Sequence, residues 1–532
     1  MARRFPGWLA PVAITLLSLV IGCYRLDWPG TWPDEGYSLL EATGQADDVP
    51  SGTFRPADIW RNNTAANAVR ATARFDSGNG APYAVLLHWW IDAFGPSNLS
   101  IRIPGVLLMA GTTLVAYRLV AIASPDGVLA LLAATLTAMS PILVRASKIA
   151  RPNNLGVFFI TCATCLLVAL LRSSPHRRSH VLAVLYGITA ALAVFAHYFA
   201  GFVIVGHLVM CAVLVVKRDE RVQWLWRHAL TAAVTMAAVA AVFFSSGVVS
   251  GMARAASTEQ NRVAVERQRV AAAAAAAGSP TVTILATPEN VAAGSRILLA
   301  NLFLLRSAAA DKPWLANRAM AAALLLVSLV TCALYASGLA SGYRKASADA
   351  RLLVWLCAAT VAAGVICVLL TSTLVMQTII PFNPRSNVAL VPCAAVLTAL
   401  TIRGALSWRP LWRFGAIVVF AVQALVFNAV TLRQVFLLRY VEPSVRTLTG
   451  TQQTARSIKA QYRPGDVVEY ELALDAAKVN VYLRDADVVQ RVVTPSLEGD
   501  PVRSIVLRGA AGRSQVLWRG QQDDGALLPY QP

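Results

Sequence analysis

The chain is poor in charge, and poorest in acidic residues. Only 14% of its 532 residues are charged, whereas a soluble globular chain carries about 25%. Acidic residues number 28 against 47 basic ones. The deficit lies in repeated apolar runs, each long enough to cross a bilayer at about 20 residues per helix. These runs show no period-2 alternation, which excludes a transmembrane barrel. The sequence therefore predicts a polytopic helical membrane protein.

Other absences narrow the function. No G-x-G-x-x-G or Walker pattern is placed to bind a nucleotide. No A-x-A-like site follows the first apolar run, 8–24, so we interpret that run as a retained helix. The eight cysteines lie in or beside apolar runs, and the C-x-x-C pair Cys162 and Cys165 is predicted to serve packing, without a redox or metal role. In a membrane protein, a net charge of +19 favours anionic headgroups and lipid-borne phosphate as partners and disfavours nucleic acid.

The apolar runs predict about eleven membrane spans. They lie near residues 8–24, 104–122, 128–144, 155–171, 181–196, 200–216, 229–249, 319–338, 352–371, 386–402 and 414–437. Connections on one side are rich in Arg and Lys, whereas those near 197–200 and 372–384 have neither. The positive-inside rule then predicts a cytoplasmic N-terminus and, with an odd number of spans, a C-terminus outside.

Three outside regions are long enough to carry function: the loops 25–103 and 250–318, and the tail 438–532 that follows the membrane domain 1–437. In the tail, a turn at 463–466 and strand-like runs at 467–471, 504–508 and 514–519 predict a small α/β domain. In the second loop, Ser257 and Gln260 have the spacing of a capping box, which predicts a surface helix beginning there.

Two adjacent carboxylates, Asp34 and Glu35, follow the first span by a few residues. One interpretation is structural: Asp34 caps a helix that begins at Gly36 or Tyr37. The other is functional: the pair supplies a general base and a group that holds a sugar or a metal ion. Later in the same loop, the aromatic segment 81–94 is too short to span and is predicted to lie flat at the membrane surface. This setting favours the functional interpretation.

Several cations stand outside, against the positive-inside trend. Arg145, Lys148 and Arg151 fall within a few residues of one another, and Arg385 stands at the outer end of a later span. They could anchor lipid headgroups or hold a phosphate, which Arg binds through its bidentate fork. Arg102 has the position of an interface anchor. His197, at the outer end of the fifth span, could be an interface residue or a contact to sugar or phosphate.

Taken in order, these motifs resemble those of the GT-C superfamily of membrane glycosyltransferases. The resemblance is closest to the bacterial branch with protein O-mannosyltransferases, the lipid A aminoarabinose transferase and rhizobial galacturonosyltransferases. The matching segments cover nearly the whole chain and are Asp34-Glu35, Ala81-Pro82-Tyr83, Phe94-Gly95, Ser100 to Pro104, Ser140-Pro141, Ala150-Arg151, His197-Tyr198, Pro384-Arg385 and Pro464-Gly465-Asp466.

The resemblance implies an all-α GT-C fold with interfacial helices in the first loop and a small C-terminal α/β domain. It implies transfer of a sugar from a polyprenyl-phosphate donor to a lipid, glycan or protein acceptor, on the periplasmic face of a bacterial inner membrane. Asp34 would be the base and Glu35 a supporting group. The remaining site residues would be Arg151, Arg385, Lys148 and Arg145 at the donor phosphate, and His197, Tyr83 and Arg102 at the substrate.

No cofactor is required by this chemistry, although a divalent ion such as Mg, Mn or Zn at Asp34 and Glu35 stays open. The chain also departs from the family pattern. Tyr83 stands where the family commonly has leucine, Ser386 where it often has tyrosine, and Asn153 and Asn154 where an acidic residue often lies. These departures bear on which sugar is held more than on the type of reaction.

Three alternatives stay open on the sequence. An O-antigen ligase or polymerase also has many spans and basic outside loops, but needs no acidic pair after the first span. A glycolipid transporter or flippase predicts ionisable residues near mid-membrane and repeated halves, and the spans carry few charges and no repeat. A non-catalytic assembly subunit would tolerate the loss of both Asp34 and Arg151.

Overall fold

The structure is a computed structural model. It describes the following parts of the chain: residues 9–27, 33–44, 52–60, 64–173, 177–217, 222–244, 246–277, 283–303, 318–421, 454–472, 476, 479–480, 483, 486–494, 502–509 and 512–521. The architecture is mostly helical, with a small sheet formed largely by the C-terminal tail. This confirms the predicted fold class.

The helices of the first half begin with the opening span and the elements of the first loop. They are α1 (Leu9–Cys23), α2 (Pro33–Ala42), α3 (Pro56–Trp60), α4 (Ala65–Phe75), α5 (Ala81–Phe94), α6 (Asn98–Ala123), α7 (Gly127–Ala138), α8 (Pro141–Ser147), α9 (Asn153–Arg172), α10 (Arg177–Ala196) and α11 (Gly201–Val216). The predicted helix over 81–94 is α5, which starts with Pro82 in its first turn and ends at Gly95.

The second half continues the bundle and ends in the sheet. Its helices are α12 (Val222–Phe243), α13 (Ser246–Ala277), α14 (Pro288–Phe303), α15 (Arg318–Lys345), α16 (Ala348–Leu370), α17 (Pro384–Asn387) and α18 (Val391–Ala405). A π-helical turn, Thr371–Met376, follows α16. The strands are β1 (Thr53–Phe54), β2 (Val467–Leu472), β3 (Gln490–Thr494), β4 (Val502–Arg508) and β5 (Ser514–Gln521).

Six of the described helices are long and apolar enough to cross a membrane, or up to seven if a bent pair is one span. α1, residues His228–Phe243 and Pro410–Ala421 are shorter apolar helices. The chain is a multi-pass membrane protein, and the number eleven stays a prediction. The expected third span is not one straight helix, because α7 and α8 meet at an angle of 54°. Pro141 lacks an N–H and holds Ser140 extended, so the helix breaks there.

The capping box predicted at Ser257 is also wrong. α13 runs unbroken from Ser246, so Ser257 lies inside a helix. Packing explains the difference: α13 lies against α4, and Gly251 comes so close that an added Cβ would be 2.4 Å from the carbonyl oxygen of Ala73. Further along, Glu259 accepts a hydrogen bond of 3.3 Å from Thr378. Tertiary contacts therefore override the local cap signal.

Polar contacts mark the two ends of the bundle. At one end, Arg172 pairs with Asp349 at 2.7 Å and Arg403 with Asp126 at 2.6 Å. These four residues close helix ends that the sequence assigns to a single side. The loop elements α2, α4 and α5 pack on one another near the opposite end of α6. The candidate site is built there.

The sheet has the order β1-β3-β2-β4-β5, with only the β2–β3 pair parallel. The three strand-like runs predicted in the tail are β2, β4 and β5, and the predicted turn has Gly465 at φ 93°, a conformation that favours glycine. β3 and β1 were not predicted. β1 comes from the first loop, where Phe54 inserts into the same core as Tyr470 and Ile458. The first loop is thereby joined to the tail.

Candidate active site

The acidic pair lies at the start of α2. The helix begins at Pro33, so Asp34 is in its first turn and is not the cap of a later helix. The side chain of Asp34 lies outside the described part of the structure. Glu35 is fully buried, at 0% exposure. An ionised carboxylate is costly to bury unless it is paired and hydrogen-bonded. The partners of Glu35 define the geometry of the site.

Arg102 of α6 is the main partner of Glu35. Its Nε donates to Oε1 and its Nη2 to Oε2 of Glu35, both at 2.7 Å, and its Nη1 donates to the carbonyl of Leu26 at 2.8 Å. Arg102 is itself 1% exposed, so the interface position expected from the sequence is wrong. The two-pronged pair fixes α2 against α6 and the end of α1.

The start of α6 is held by a second contact. Pro104 lies inside the helix and has no N–H, so the carbonyl of Ser100 loses its usual helical partner. The indole Nε1 of Trp90 donates to that carbonyl at 2.9 Å. This bond fastens α5 to α6 beside Arg102. The neighbouring Trp89 is 60% exposed, in keeping with the predicted interfacial position of α5.

The segment after α8 approaches α2 through its backbone and through Arg151. The N–H of Ala150 donates to Oε1 of Glu35 at 2.8 Å. Arg151 lies next, with Nη1 at 3.5 Å from the hydroxyl of Ser38 and Nη2 at 3.8 Å from Oδ2 of Asp76. The two sequence motifs, 115 residues apart, therefore meet.

Glu41 and Asp76 complete this polar cluster, and sequence reasoning missed both. Glu41, on the last turn of α2, is 3% exposed. Burial is the main cause that raises the pKa of Glu41 to about 8, and the charge of Asp76 adds to it, whereas Arg151 lowers the pKa. Positions 34, 38 and 41 fall on one side of α2 by the helical period. That spacing was the available signal for Glu41, whereas Asp76 is brought in only by the fold.

Tyr83 and His197 lie against the same core. Tyr83 is 1% exposed and packs in a cluster with Ala150 and Ala196. Its hydroxyl has no hydrogen-bond partner among the described residues. Burial is the main cause that raises the pKa of Tyr83, and the charge of Glu35 adds to it, whereas Arg151 lowers the pKa. His197 is 7% exposed and fits because Gly156 has no side chain: a Cβ there would be 2.7 Å from that of His197.

The turn between α4 and α5 is fastened to the turn after α10. The N–H of Gly80 donates to the carbonyl of Phe195 at 2.7 Å, and the N–H of Tyr198 donates to Oδ1 of Asn79 at 3.2 Å. The hydroxyl of Tyr198 donates to the carbonyl of Ser77. Gly80 has φ 86°, a value that glycine adopts at no steric cost. These contacts keep Asp76 and Tyr83 near His197.

The other predicted phosphate ligands lie around α8. Lys148 donates to the carbonyl of Tyr24, and its Nζ lies 5.8 Å from the centroid of that ring. Burial lowers the pKa of Lys148 to about 8. Arg145 lies in helix α8. α17, which carries Arg385, contacts α8. The side chain of Arg385 lies outside the described residues.

The described carboxylates offer little to a metal ion. No group of three or more His, Cys, Asp or Glu side chains within the described ranges is arranged to hold one. Both oxygens of Glu35 already accept from Arg102, and Oε1 also accepts from Ala150. Glu35 therefore does not fit the role of a metal ligand.

Comparison with known proteins adds to this geometry. Residues 89–246 match the family model described as dolichyl-phosphate-mannose-protein mannosyltransferase. No curated protein sequence matches the chain. The fold is similar to that of ArnT from Cupriavidus metallidurans bound to undecaprenyl phosphate, at TM-score 0.50 and 12% identity, over 91% of this chain and 86% of that one.

A further similarity is to the archaeal oligosaccharyltransferase AglB from Archaeoglobus fulgidus in complex with an inhibitory peptide and a dolichol-phosphate. It has TM-score 0.42 and 11% identity, over 86% of this chain and 58% of that one. The chain therefore has an ArnT-like fold, and its segment 89–246 matches the protein mannosyltransferase family model.

Proposed function

We propose that the protein transfers a sugar from a polyprenyl-phosphate donor to an envelope acceptor, a lipid, glycan or protein, on the periplasmic face of a bacterial inner membrane. The observation that carries the proposal is the meeting of α2 with the segment after α8. There, Glu35 accepts from the N–H of Ala150, and Ser38 lies beside Arg151. A protein of the same fold is bound to undecaprenyl phosphate.

The proposed reaction is one inverting displacement at the anomeric carbon. The acceptor oxygen forms a bond to that carbon while the bond from the carbon to the phosphate oxygen breaks, and the acceptor proton passes to Asp34. A carboxylate within hydrogen-bond reach of the acceptor can take this proton. In support, Asp34 stands one helical turn before Ser38, which neighbours Arg151.

Negative charge grows on the leaving phosphate as the bond breaks. Cations fixed beside it, where water is scarce, stabilise that charge most. We assign this role to Arg151, assisted by Lys148, Arg145 and Arg385. In support, Arg151 lies where the two motifs meet, 3.5 Å from the hydroxyl of Ser38 and 3.8 Å from Asp76. Lys148 contributes most where it is still charged, below its pKa of about 8.

Glu35 and Arg102 take a different role in this proposal from the one the family resemblance implies. The two side chains bind each other, Arg102 also donates to the carbonyl of Leu26, and Glu35 also accepts from the N–H of Ala150. They are positioning residues that hold Asp34 and Arg151 in one site. Tyr83 and His197 stay candidates for contact with the sugar, and the hydroxyl of Tyr83 is available for it.

The proposal includes an orientation. The N-terminus and the Arg172 and Arg403 end of the bundle would be cytoplasmic, and the site and the C-terminal tail periplasmic. The division into a membrane domain 1–437 and a tail 438–532 is kept, with β1 of the first loop added to the sheet of the tail. The loop 250–318 would cover the donor, held by the hydrogen bond of 2.5 Å from Arg267 to Gln377.

The test is mass spectrometry of lipid-linked sugars and envelope glycans from cells with and without the protein. Cells without it should accumulate one polyprenyl-phosphate sugar and lack that sugar on one envelope component. Wild type and Asp27→Asn, an exposed aspartate of the same loop, should restore transfer, and Asp34→Asn should not. An O-antigen ligase or polymerase would alter a diphosphate-linked oligosaccharide instead. If the protein were a flippase, its loss would change which leaflet holds the donor lipid. The purified protein would then transfer no sugar in vitro.

A further inference from the structure

The cluster of Glu41, Asp76 and Arg151 has one carboxyl more than it has cations. Asp76 lies 3.8 Å from Arg151, and 38% of its side chain is exposed. Glu41 is 3% exposed. Glu41 stands about one helical turn after Ser38, whose hydroxyl lies 3.5 Å from Arg151. Because burial disfavours the charged form, a proton taken up by the cluster resides mostly on Glu41. With that proton the cluster is neutral, and without it the cluster carries one negative charge.

The groups around Glu41 come from every element that packs on α2. Asp76 directly follows α4. On α4 itself, Arg70 is exposed and donates to Asn67. From α5 come Tyr83 and His88, and His88 lies 3.6 Å from Asp92.

The remaining charges near Glu41 lie on other segments. Arg151 lies beyond α8, and Glu35, on α2 itself, is neutralised by Arg102. Among the side chains that the structure describes, Asp76 and Arg151 are thus the charges that act on Glu41.

A phosphate that binds Arg151 must approach this cluster. When Glu41 is neutral, the incoming anion meets a guanidinium and the partly exposed carboxylate of Asp76. When Glu41 is ionised, the anion is repelled by a second carboxylate that also competes for Arg151. The two states of Glu41 therefore differ in affinity for phosphate, and a ligand shifts an equilibrium by this difference in affinity.

We propose that the Glu41–Asp76 pair holds one proton in the donor-bound site, so that binding of the lipid phosphate at Arg151 is coupled to uptake of that proton. This inference rests on the proposed function, because it takes Arg151 as the ligand of the donor phosphate. Coupling is reciprocal: protonation strengthens phosphate binding, and phosphate binding strengthens protonation. Glu41 is a positioning residue in this scheme, since it acts through Arg151.

The coupling has a direction and a size. Glu41, with its pKa raised to about 8, is neutral below that pH and ionised above it. If only the neutral form binds well, the apparent affinity scales with the neutral fraction, which falls about tenfold between pH 7 and pH 9. Lys148, whose pKa is also about 8, loses its charge over the same range and would weaken binding in the same direction. The experiment must separate the two.

The probe is undecaprenyl phosphate, titrated into the purified full chain in detergent at pH 7 and pH 9. Four proteins are compared: wild type, Glu41→Gln, which is permanently neutral, Lys148→Arg, which is permanently charged, and the double variant. Between pH 7 and pH 9, the affinity of Glu41→Gln for the lipid should fall about tenfold less than that of wild type. Lys148→Arg should retain this tenfold fall, because it still has Glu41. Calorimetry at pH 8.5 in two buffers of different ionisation enthalpy should show proton uptake by wild type that exceeds uptake by Glu41→Gln.

The inference is overturned if Glu41→Gln and wild type share one pH dependence, or if proton uptake is equal in both. It is also overturned if undecaprenyl phosphate binds neither at any pH. Should Glu41→Gln fail to fold, Asp76→Asn gives the same test: without its repulsion, Glu41 should ionise at lower pH and the loss of affinity should move with it. The proposed function fails separately, if wild type binds the lipid with this coupling and yet transfers no sugar.

Discussion

The buried ion pair of Glu35 and Arg102 allows the sharpest prediction of stability. The two side chains are 0% and 1% exposed and share two hydrogen bonds of 2.7 Å. Replacing Arg102 by Met removes the guanidinium and keeps most of the volume. The carboxylate of Glu35 is then left buried without its cation, and the carbonyl of Leu26 loses the guanidinium donor.

The expected cost follows from this geometry. Removing one partner of a buried pair costs about 3–5 kcal/mol of unfolding free energy, and an unsatisfied buried carbonyl adds about 1–3 kcal/mol. Arg102→Met should therefore destabilise the protein by at least about 3 kcal/mol. Glu35→Met/Arg102→Met contains no uncompensated charge, and it should cost less than the sum of the two single changes.

The assay is a double-mutant cycle on unfolding in bicelles, with Arg172→Met as the matched control. The partner of Arg172, Asp349, is 31% exposed, so that change should cost less than about 1 kcal/mol. Equal effects of Arg102→Met and Arg172→Met would refute the reasoning. The reasoning would also be refuted if the costs of the two single changes, Glu35→Met and Arg102→Met, summed to the cost of the double change within about 0.5 kcal/mol.

Three further predictions concern Arg151, Tyr83 and Gly404. Arg151→Ala should weaken binding of undecaprenyl phosphate by about 10–100-fold, from a charged hydrogen bond of about 1.5–3 kcal/mol, whereas Arg70→Ala on α4 should not; equal affinities would contradict the phosphate role. Tyr83→Phe should not lower stability, since the hydroxyl has no described partner, but should raise the donor KM; an unchanged KM would remove Tyr83 from the site. Gly404→Ala should lower the unfolding temperature, because its Cβ would lie 2.0 Å from the carbonyl of Gly338, whereas Gly415→Ala, in open space, should not; equal temperatures would contradict this packing.

Local signals explain what the sequence predicted correctly. The helix over 81–94 carries its own start and stop, Pro82 and Gly95, and the tail strands follow a turn that only Gly465 makes easy. The break at Ser140-Pro141 was equally local, because proline restricts the residue before it, but the apolar run 128–144 concealed it.

Long-range packing explains what the sequence did not predict. Ser257 carries a valid cap signal that the contact of α13 with α4 overrides. Glu41 and Asp76 are unremarkable in sequence, and only the approach of Arg151 makes them part of a site. Arg102 had the position of an interface anchor, yet it is buried because Glu35, 67 residues away, supplies its counter-charge. Pairings across such separations have no local signature.

The most direct test of the account measures turnover and donor affinity together in Asp34→Asn, reconstituted in vesicles with the polyprenyl-phosphate sugar identified by mass spectrometry. If α2 supplies the base and the segment after α8 supplies the phosphate ligand, Asp34→Asn should bind undecaprenyl phosphate as tightly as Asp27→Asn and transfer sugar at least about 100-fold more slowly. Transfer at the wild-type rate in folded Asp34→Asn would contradict the account.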